Sequence, residues 1–352
     1  MSPRAIFLGG ARLQLDDRTL LGEGGEGRVY RVADLAIKVF TTPGPERERK
    51  LRAFPRGLPP QVVGPLDLCT DGRGDVVGFS MRALDGAHDL SRFGQRRWRE
   101  GRVSNAELLV LFRDLARTVN ELHRRGVVVG DLNDGNVVVT RPGAHGHSPW
   151  LIDADSMQFG AHPCVVAHER FLDPRLYGKE LGTEALLSRE TDWYALAVLL
   201  FSSLLYVHPF GGAHPSLPTL LRRAEARCSV LQPVIKLPAS AVRPDVLPDA
   251  ALDWFARVFE GDLRAPLPSD LLDASFTRCS CGAEHARRRC PVCATVLPAP
   301  APVRAQGRIR ALRVFGGRGR VVEAAAPHGE LRYAYDDGDG LVREDGARVL
   351  GR

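Results

Sequence analysis

The sequence predicts an α+β chain: a strand-rich first lobe, a helical second lobe, a small cysteine module and a short β-rich tail. Three observations carry this reading. Short apolar runs punctuated by glycine and proline fill residues 20–84. From Ser104 the apolar residues recur every three or four positions instead of every two. Four of the seven cysteines then crowd into residues 279–293. The chain has 352 residues, 44% hydrophobic and 26% charged, which suits about two domains of ordinary globular composition.

Residues 1–19 read as a lead-in. Residues 20–40 run strand, glycine-rich turn, strand, tight turn, strand, and 62–68 and 76–84 suit further strands. Ser104 and Glu107 form a capping box. Leu108, Leu111, Phe112, Leu115, Val119 and Leu122 follow at helical spacing, and Gly126 closes that helix. The run 193–207 is apolar but short for a membrane span, and it contains Ser202 and Ser203, so a buried helix is expected. The two-lobed domain therefore occupies 20–276, divided between 84 and 85. A cysteine module at 277–296, a proline-rich linker at 297–303 and a small β module at 304–352 follow. The β module should hold strands at 309–315, 321–325, 331–335 and 341–342. No apolar leader with a cleavage site opens the sequence, so a cytoplasmic location away from any membrane is expected. A net charge of +6 is modest and does not demand nucleic acid. Only four of the 48 basic residues are lysines (Lys38, Lys50, Lys179 and Lys236), so each retained lysine stands out.

Three motifs carry chemistry. Gly22-Glu23-Gly24-Gly25-Glu26-Gly27 lets a backbone approach phosphates without a Cβ in the way. Such a run also occurs in dinucleotide folds and plain hairpins, but here a strand follows it, not a helix. Eleven residues beyond Gly27 lies Lys38, inside the apolar strand Ala36-Ile37-Lys38-Val39. A buried ammonium is costly unless paired, and ATP phosphates with a carboxylate would pair it. The second motif is Gly130-Asp131-Leu132-Asn133-Asp134-Gly135-Asn136 between two apolar runs, which a polar turn alone would also allow. The third, Leu151-Ile152-Asp153-Ala154-Asp155, places an aspartate 17 residues after Asn136, where a hairpin can join the two around Mg²⁺ (or Mn²⁺).

In this order and spacing the motifs resemble the eukaryotic-like Ser/Thr protein kinase family over about residues 20–276. The resemblance implies a bilobal fold with a β-rich N-lobe and an α-helical C-lobe, and ATP as phosphoryl donor. Gly22, Gly24, Gly27, Val29, Ala36, Lys38, Met81, Asn136 and Asp153 are its expected nucleotide and metal residues. Met81 stands at the gatekeeper position, with 82–84 as the hinge. Glu48 is the expected carboxylate partner of Lys38, with Glu46 the alternative. Lys38, Asp131 and Asn133 form the expected catalytic group, with Asp131 as base. Asp192 should brace the catalytic loop. A bacterial subgroup is similar in detail, in its Gly-Asp-Leu-Asn loop, its Leu-Ile-Asp-x-Asp-Ser element and His208-Pro209-Phe210. Its members imply a C-terminal zinc-ribbon-like module, a role in stress response, and as partners a PP2C-type phosphatase and a von Willebrand A protein.

Four positions depart from the family. Gly130 replaces the arginine that grips an activation-loop phosphate. Asn133 replaces a lysine that contacts the transferred phosphate. Asp155 replaces a glycine, and Arg175 a glutamate that makes a structural ion pair. Between Asp153 and Arg175 the only Ser or Thr is Ser156, and no tyrosine occurs. Control by loop phosphorylation is therefore not expected, and Phe159, Val165, Val166 and Phe171 are the expected packing anchors.

Cys279, Cys281, Cys290 and Cys293 offer a closed four-thiolate set for structural zinc, with His285 a possible substitute in the first arm and a redox pair at 290/293 the alternative. Arg287, Arg288 and Arg289 read as a solvated face or as a contact for nucleic acid or an acidic protein. Other functions fit the same residues: a nucleotide-binding pseudokinase scaffold, a small-molecule phosphotransferase, or a kinase regulating its own zinc and β modules. The protein substrate is not legible.

Overall fold

Seven strands build the N-terminal sheet of this computed structural model: β1 (Ile6–Leu8), β2 (Ala11–Leu13), β3 (Leu20–Glu23), β4 (Gly27–Val32), β5 (Leu35–Phe40), β6 (Leu68–Asp71) and β7 (Val76–Arg82). They lie in the order β2-β1-β6-β7-β5-β4-β3, every neighbouring pair antiparallel. The described residues are 5–141, 147–182, 185–295, 315 and 319–349. They form a mixed α+β chain of two units, Met1–Leu297 and Pro298–Arg352.

Two sequence expectations change here. Residues 6–13 are more than a lead-in, because their hairpin extends the sheet and buries Ile6 with Ile37, Cys69 and Val77. The strand expected at 62–68 begins only at Leu68. Gly64 and Pro65 interrupt it, and proline has no N–H for a ladder. Val62 instead makes an isolated bridge to Leu151.

A short helix, α1 (Pro45–Arg52), follows β5 and turns Leu51 into the sheet's core. After a single helical turn at Arg96–Arg99 comes the long helix Asn105–Arg124, whose capping box and buried Leu108, Leu111, Phe112, Leu115, Val119 and Leu122 follow the periodicity of the sequence. The helix Arg189–Leu205 is buried along almost its whole length and crosses it in one continuous core. Among the described residues no helix is long and apolar enough to cross a membrane.

In the second unit Arg320–Ala325, Arg332–Asp336 and Leu341–Arg343 form an antiparallel sheet. Phe315 packs against Tyr335 with the rings tilted and their centroids 4.8 Å apart. The rest of the strand expected at 309–315, and the linker at 297–303, lie outside the described residues.

Candidate active site

Strand alternation sets the upper wall of the cleft. Ala36, Lys38 and Phe40 share one face of β5 while Ile37 packs on the other. Ala36 and Met81 are register partners, both buried, with Val29 packed against them. That is an apolar surface suited to a nucleobase. The β3–β4 turn closes through Gly24 and Gly27, whose backbones exchange hydrogen bonds of 2.9 and 3.3 Å. A Cβ on Gly22 or Gly24 would meet open space, but one on Gly27 would lie 2.3 Å from the Val39 carbonyl oxygen. Gly27 is thus demanded by the packing of β4 on β5, whatever it does for phosphates.

The catalytic loop organises itself. Asn133, 6% exposed, accepts from the backbone N–H groups of Gly135 (2.9 Å) and Asn136 (3.1 Å) and donates to Asp131 Oδ1 (2.9 Å). Asn136 Nδ2 donates to Asp131 Oδ2 at 3.0 Å, which leaves its side-chain oxygen facing away from Asp131. Asp131 Oδ1 also accepts the His168 N–H at 2.7 Å. Below, Asp192 is fully buried and accepts from the N–H groups of Val129 and Gly130, each at 2.8 Å, with His123 Nε2 also 2.8 Å away. Asn133, expected near the transferred phosphate, is therefore a clip that aims Asp131.

A hairpin delivers the metal element. Val137–Thr140 pairs with Ser148–Leu151, and Ile152 N–H donates to the Asn136 carbonyl at 3.0 Å, which sets Asn136 beside Asp153. Asp153 has φ 59°, a left-handed conformation that aspartate tolerates, and Ser156 Oγ closes the following turn on its carbonyl at 2.8 Å. Lys38 Nζ bonds Asp153 Oδ1 and lies 2.8 and 2.9 Å from the two oxygens of Asp155 and 3.5 Å from Glu26 Oε2. Burial pushes the Lys38 ammonium toward neutrality, but Asp155 and Asp153 outweigh it and hold its pKa above the ordinary lysine range. Burial raises Asp155, against the pull of Lys38.

The expected partner Glu48 is a correction. Its carboxylate bonds Arg52 Nε at 2.8 Å, one turn along α1, and Glu46 is exposed. The face of α1 that meets the cleft carries Arg47, which donates to Glu26 at 3.0 Å, and Lys50, which donates to the carbonyls of Ser156 (2.9 Å) and Pro163 (3.2 Å). Sequence reasoning missed Glu26, Lys50 and Asp155 in these places. The available signals were a rare lysine and an acid where glycine is usual.

Residues 78–159, from β7 through the catalytic loop and the metal element, match the lipopolysaccharide kinase (Kdo/WaaP) family model. Protein kinase YegI of Escherichia coli (strain K12) is 31% identical over 211 residues, 55% of this chain and 31% of that protein. The DNA damage-responsive serine/threonine-protein kinase RqkA of Deinococcus radiodurans is 29% identical over 214 residues, 55% of this chain and 30% of the relative. This is a kinase-like chain. Serine/threonine-protein kinase PkaB of Streptomyces coelicolor, 28% identical over 222 residues, covers 58% of the chain and 47% of itself. The kinase-like chain thus matches less than half the length of each of these curated relatives.

The segment after the metal element is held by packing. Gly130, which stands where an arginine was expected, has φ +77°, and a Cβ there would lie 2.7 Å from Cys164. No arginine fits without moving that thiol. Of the expected anchors Phe159 and Phe171 are buried and Val166 is half-buried, but Val165 is 54% exposed. Its neighbour Cys164 takes the inward place, because alternate residues of an extended segment face opposite ways. Ser156 is 9% exposed and its hydroxyl is spent on Asp153, so a fully dephosphorylated preparation and a Ser156→Ala variant should both keep most of the initial rate. Loss of activity on dephosphorylation, restored by phosphate at Ser156, would defeat this. The ion pair expected to be lost at Arg175 is supplied two residues earlier, where buried Asp173 takes Arg264 through bonds of 2.6 and 2.8 Å.

His208 pins the segment's end. Its Nε2 donates to the Arg170 carbonyl at 2.8 Å while Nδ1 accepts the Phe210 N–H at 3.1 Å, a neutral tautomer. Burial drives its pKa down to about 3. An unfolded histidine takes up a proton below pH ~6.5, so between ~6.5 and ~3 the unfolded state binds more protons and stability falls as pH falls. From pH 6.5 to 5 this amounts to about 1.5 kcal/mol. Denaturant midpoints across that range should show the loss, and His208→Gln should flatten it.

The four cysteines form a second centre. Cys279 and Cys293 sulfurs lie 3.6 Å apart, Cys281 and Cys290 3.7 Å, and all four lie within 4.8 Å of one another. Tetrahedral zinc with Zn–S near 2.3 Å requires sulfurs about 3.8 Å apart, so the set fits zinc. His285 is not in the cluster, and its Nδ1 accepts the Arg287 N–H at 3.2 Å. The module is seated on the helical region. Glu284 accepts the Asn105 N–H at 3.0 Å at a helix start, Ala286 N–H donates to the Val246 carbonyl at 2.8 Å, and Arg287 bonds Asp249. Arg287 is thus spent internally, while Arg288 and Arg289 are exposed. Elemental analysis of purified protein should find about one zinc per chain, held until the thiolates are titrated or chelated away. Four free thiols under reducing conditions and no metal would remove the site.

Proposed function

We propose that the chain is an ATP-dependent protein kinase with a bilobal kinase fold, transferring the γ-phosphate of Mg-ATP to Ser or Thr hydroxyls of a protein substrate in the cytoplasm. The observation that carries this reading is the continuous set of contacts from Lys38 to Asp153, through the hairpin to Asn136 and on to Asp131. Asp153 and the Asn136 side-chain oxygen would hold Mg²⁺, which neutralises phosphate charge when bound. Lys38 would meet the phosphates, Val29, Ala36 and Met81 the base. Asp131, positioned by two asparagine amides, would accept the acceptor hydroxyl's proton. Radiolabelled ATP with Mg²⁺ and a generic protein acceptor such as casein tests this. Label on Ser or Thr is expected, and nucleotide binding without transfer to any acceptor would return the scaffold reading.

A second reading, transfer to a sugar hydroxyl, is favoured by the match of residues 78–159 to the lipopolysaccharide kinase family. Running the same assay with purified lipopolysaccharide separates the two by where the label goes. A PP2C-type phosphatase and a von Willebrand A protein are proposed partners in bacterial stress signalling, on resemblance alone, and co-purification with the tagged chain tests them.

A further inference from the structure

We propose that Asp155, not a carboxylate on α1, is the residue that positions Lys38, so that the metal element itself aims the lysine at the nucleotide phosphates. The purpose assigned to the pair rests on the kinase reading above.

Protein kinases set this lysine with a glutamate on the helix after the strand, and moving the helix switches the enzyme. In this chain α1 has no carboxylate for the task. Glu48 is paired with Arg52, and Glu46 is exposed. The helix instead presents Lys50, whose ammonium binds the carbonyl of Ser156, at the end of the metal element's turn, and that of Pro163 beyond it. The charges are exchanged: the helix brings the cation and the metal element brings the acid.

Asp155 meets the requirements. Both its oxygens lie within 2.9 Å of Lys38 Nζ, and the two side chains are 5% and 6% exposed. Asp153 also touches Lys38, but its side chain is 28% exposed and it is the acid a cation would draw on. Asp155 lies deeper, on a turn closed by Ser156 Oγ, so two acids separated by Ala154 divide the labour: one for metal, one for lysine. A buried carboxylate without a cation is costly, which leaves Asp155 little alternative to Lys38. The lysine's aim is then fixed by β5 and by the turn that carries Asp155, and α1 contributes no carboxylate to it.

Two readouts on the full chain test this. The first is Mg-ATP affinity by calorimetry. Lys38→Met and Asp155→Asn should each weaken binding about tenfold or more, and the double variant should be little worse than either alone. Glu46→Gln and Glu48→Gln should stay within about twofold of wild type. The second needs no nucleotide. With four lysines in the chain, selective ¹⁵N-lysine labelling yields a short set of Nζ signals, and Lys38→Met assigns one. That signal should shift in Asp155→Asn and not in Glu48→Gln. Wild-type affinity in Asp155→Asn, fully additive losses, or a Glu46→Gln or Glu48→Gln variant that behaves like Lys38→Met would overturn the proposal. If Asp155→Asn does not fold, the two glutamate variants still decide. If wild type binds no Mg-ATP but the Lys38 signal answers to Asp155, the kinase reading falls and the pair stands.

Discussion

Asp131→Asn should slow phosphoryl transfer by about 10²–10⁴-fold, with the chain still folded and still binding nucleotide. On the proposed kinase reading the first loss is the base, since an amide cannot take the acceptor's proton. A second follows from the hydrogen bonds. Asp131 Oδ1 accepts from Asn133 and from the His168 N–H, and Oδ2 accepts from Asn136. A replacement amide satisfies the first two with its oxygen and so aims its NH₂ at the NH₂ of Asn136. Asn136 must then turn over, which surrenders the oxygen placed for a metal ion. The variant should therefore need a higher Mg²⁺ concentration for its half-maximal rate, as well as running slowly. Initial rates over a Mg²⁺ series, beside nucleotide affinity by calorimetry, measure both. Equal rates in wild type and variant would mean that the base lies elsewhere.

The largest stability effect is expected at Arg264. Its guanidinium lies 4.4 Å from the Tyr194 ring centroid and donates to both oxygens of Asp173 and to the Val258 carbonyl. The side chains of Arg264 and Asp173 are 2% and 0% exposed. Arg264→Met keeps the apolar stem but leaves the Asp173 carboxylate in the core with only Arg175 and a backbone N–H. Stranding a buried charge in this way costs about 3–5 kcal/mol. A fall in the thermal midpoint on the order of 10 °C is expected. Changing Asp173 to Asn as well should recover part of it, because the uncompensated charge goes, though the cap on the Arg175 N–H is weakened. A single variant as stable as wild type would show that Asp173 finds another partner at little cost.

Local spacing determined much about this chain without any coordinates. The helix at Asn105–Arg124 was legible because a capping box and a 3.6-residue period are properties of neighbours along the sequence. The same holds for the Asp131-to-Asn136 loop, whose internal hydrogen bonds span two to five residues, and for the hairpin that brings Asp153 beside it. It holds again for the four cysteines, which meet within fifteen residues.

Only the tertiary structure decided which distant polar groups meet. Lys38 reaches Asp155 across 117 positions, Arg264 reaches Asp173 across 91, and Glu284 caps Asn105 across 179. Sequence offered Glu48 for the first and nothing for the others. A buried charge takes whichever opposite charge packing places within reach, and the desolvation cost of leaving it single outweighs any preference written into a motif. Glu48, on a half-exposed face of α1, had Arg52 one turn away and solvent beside it, whereas Asp155 was buried and close to Lys38.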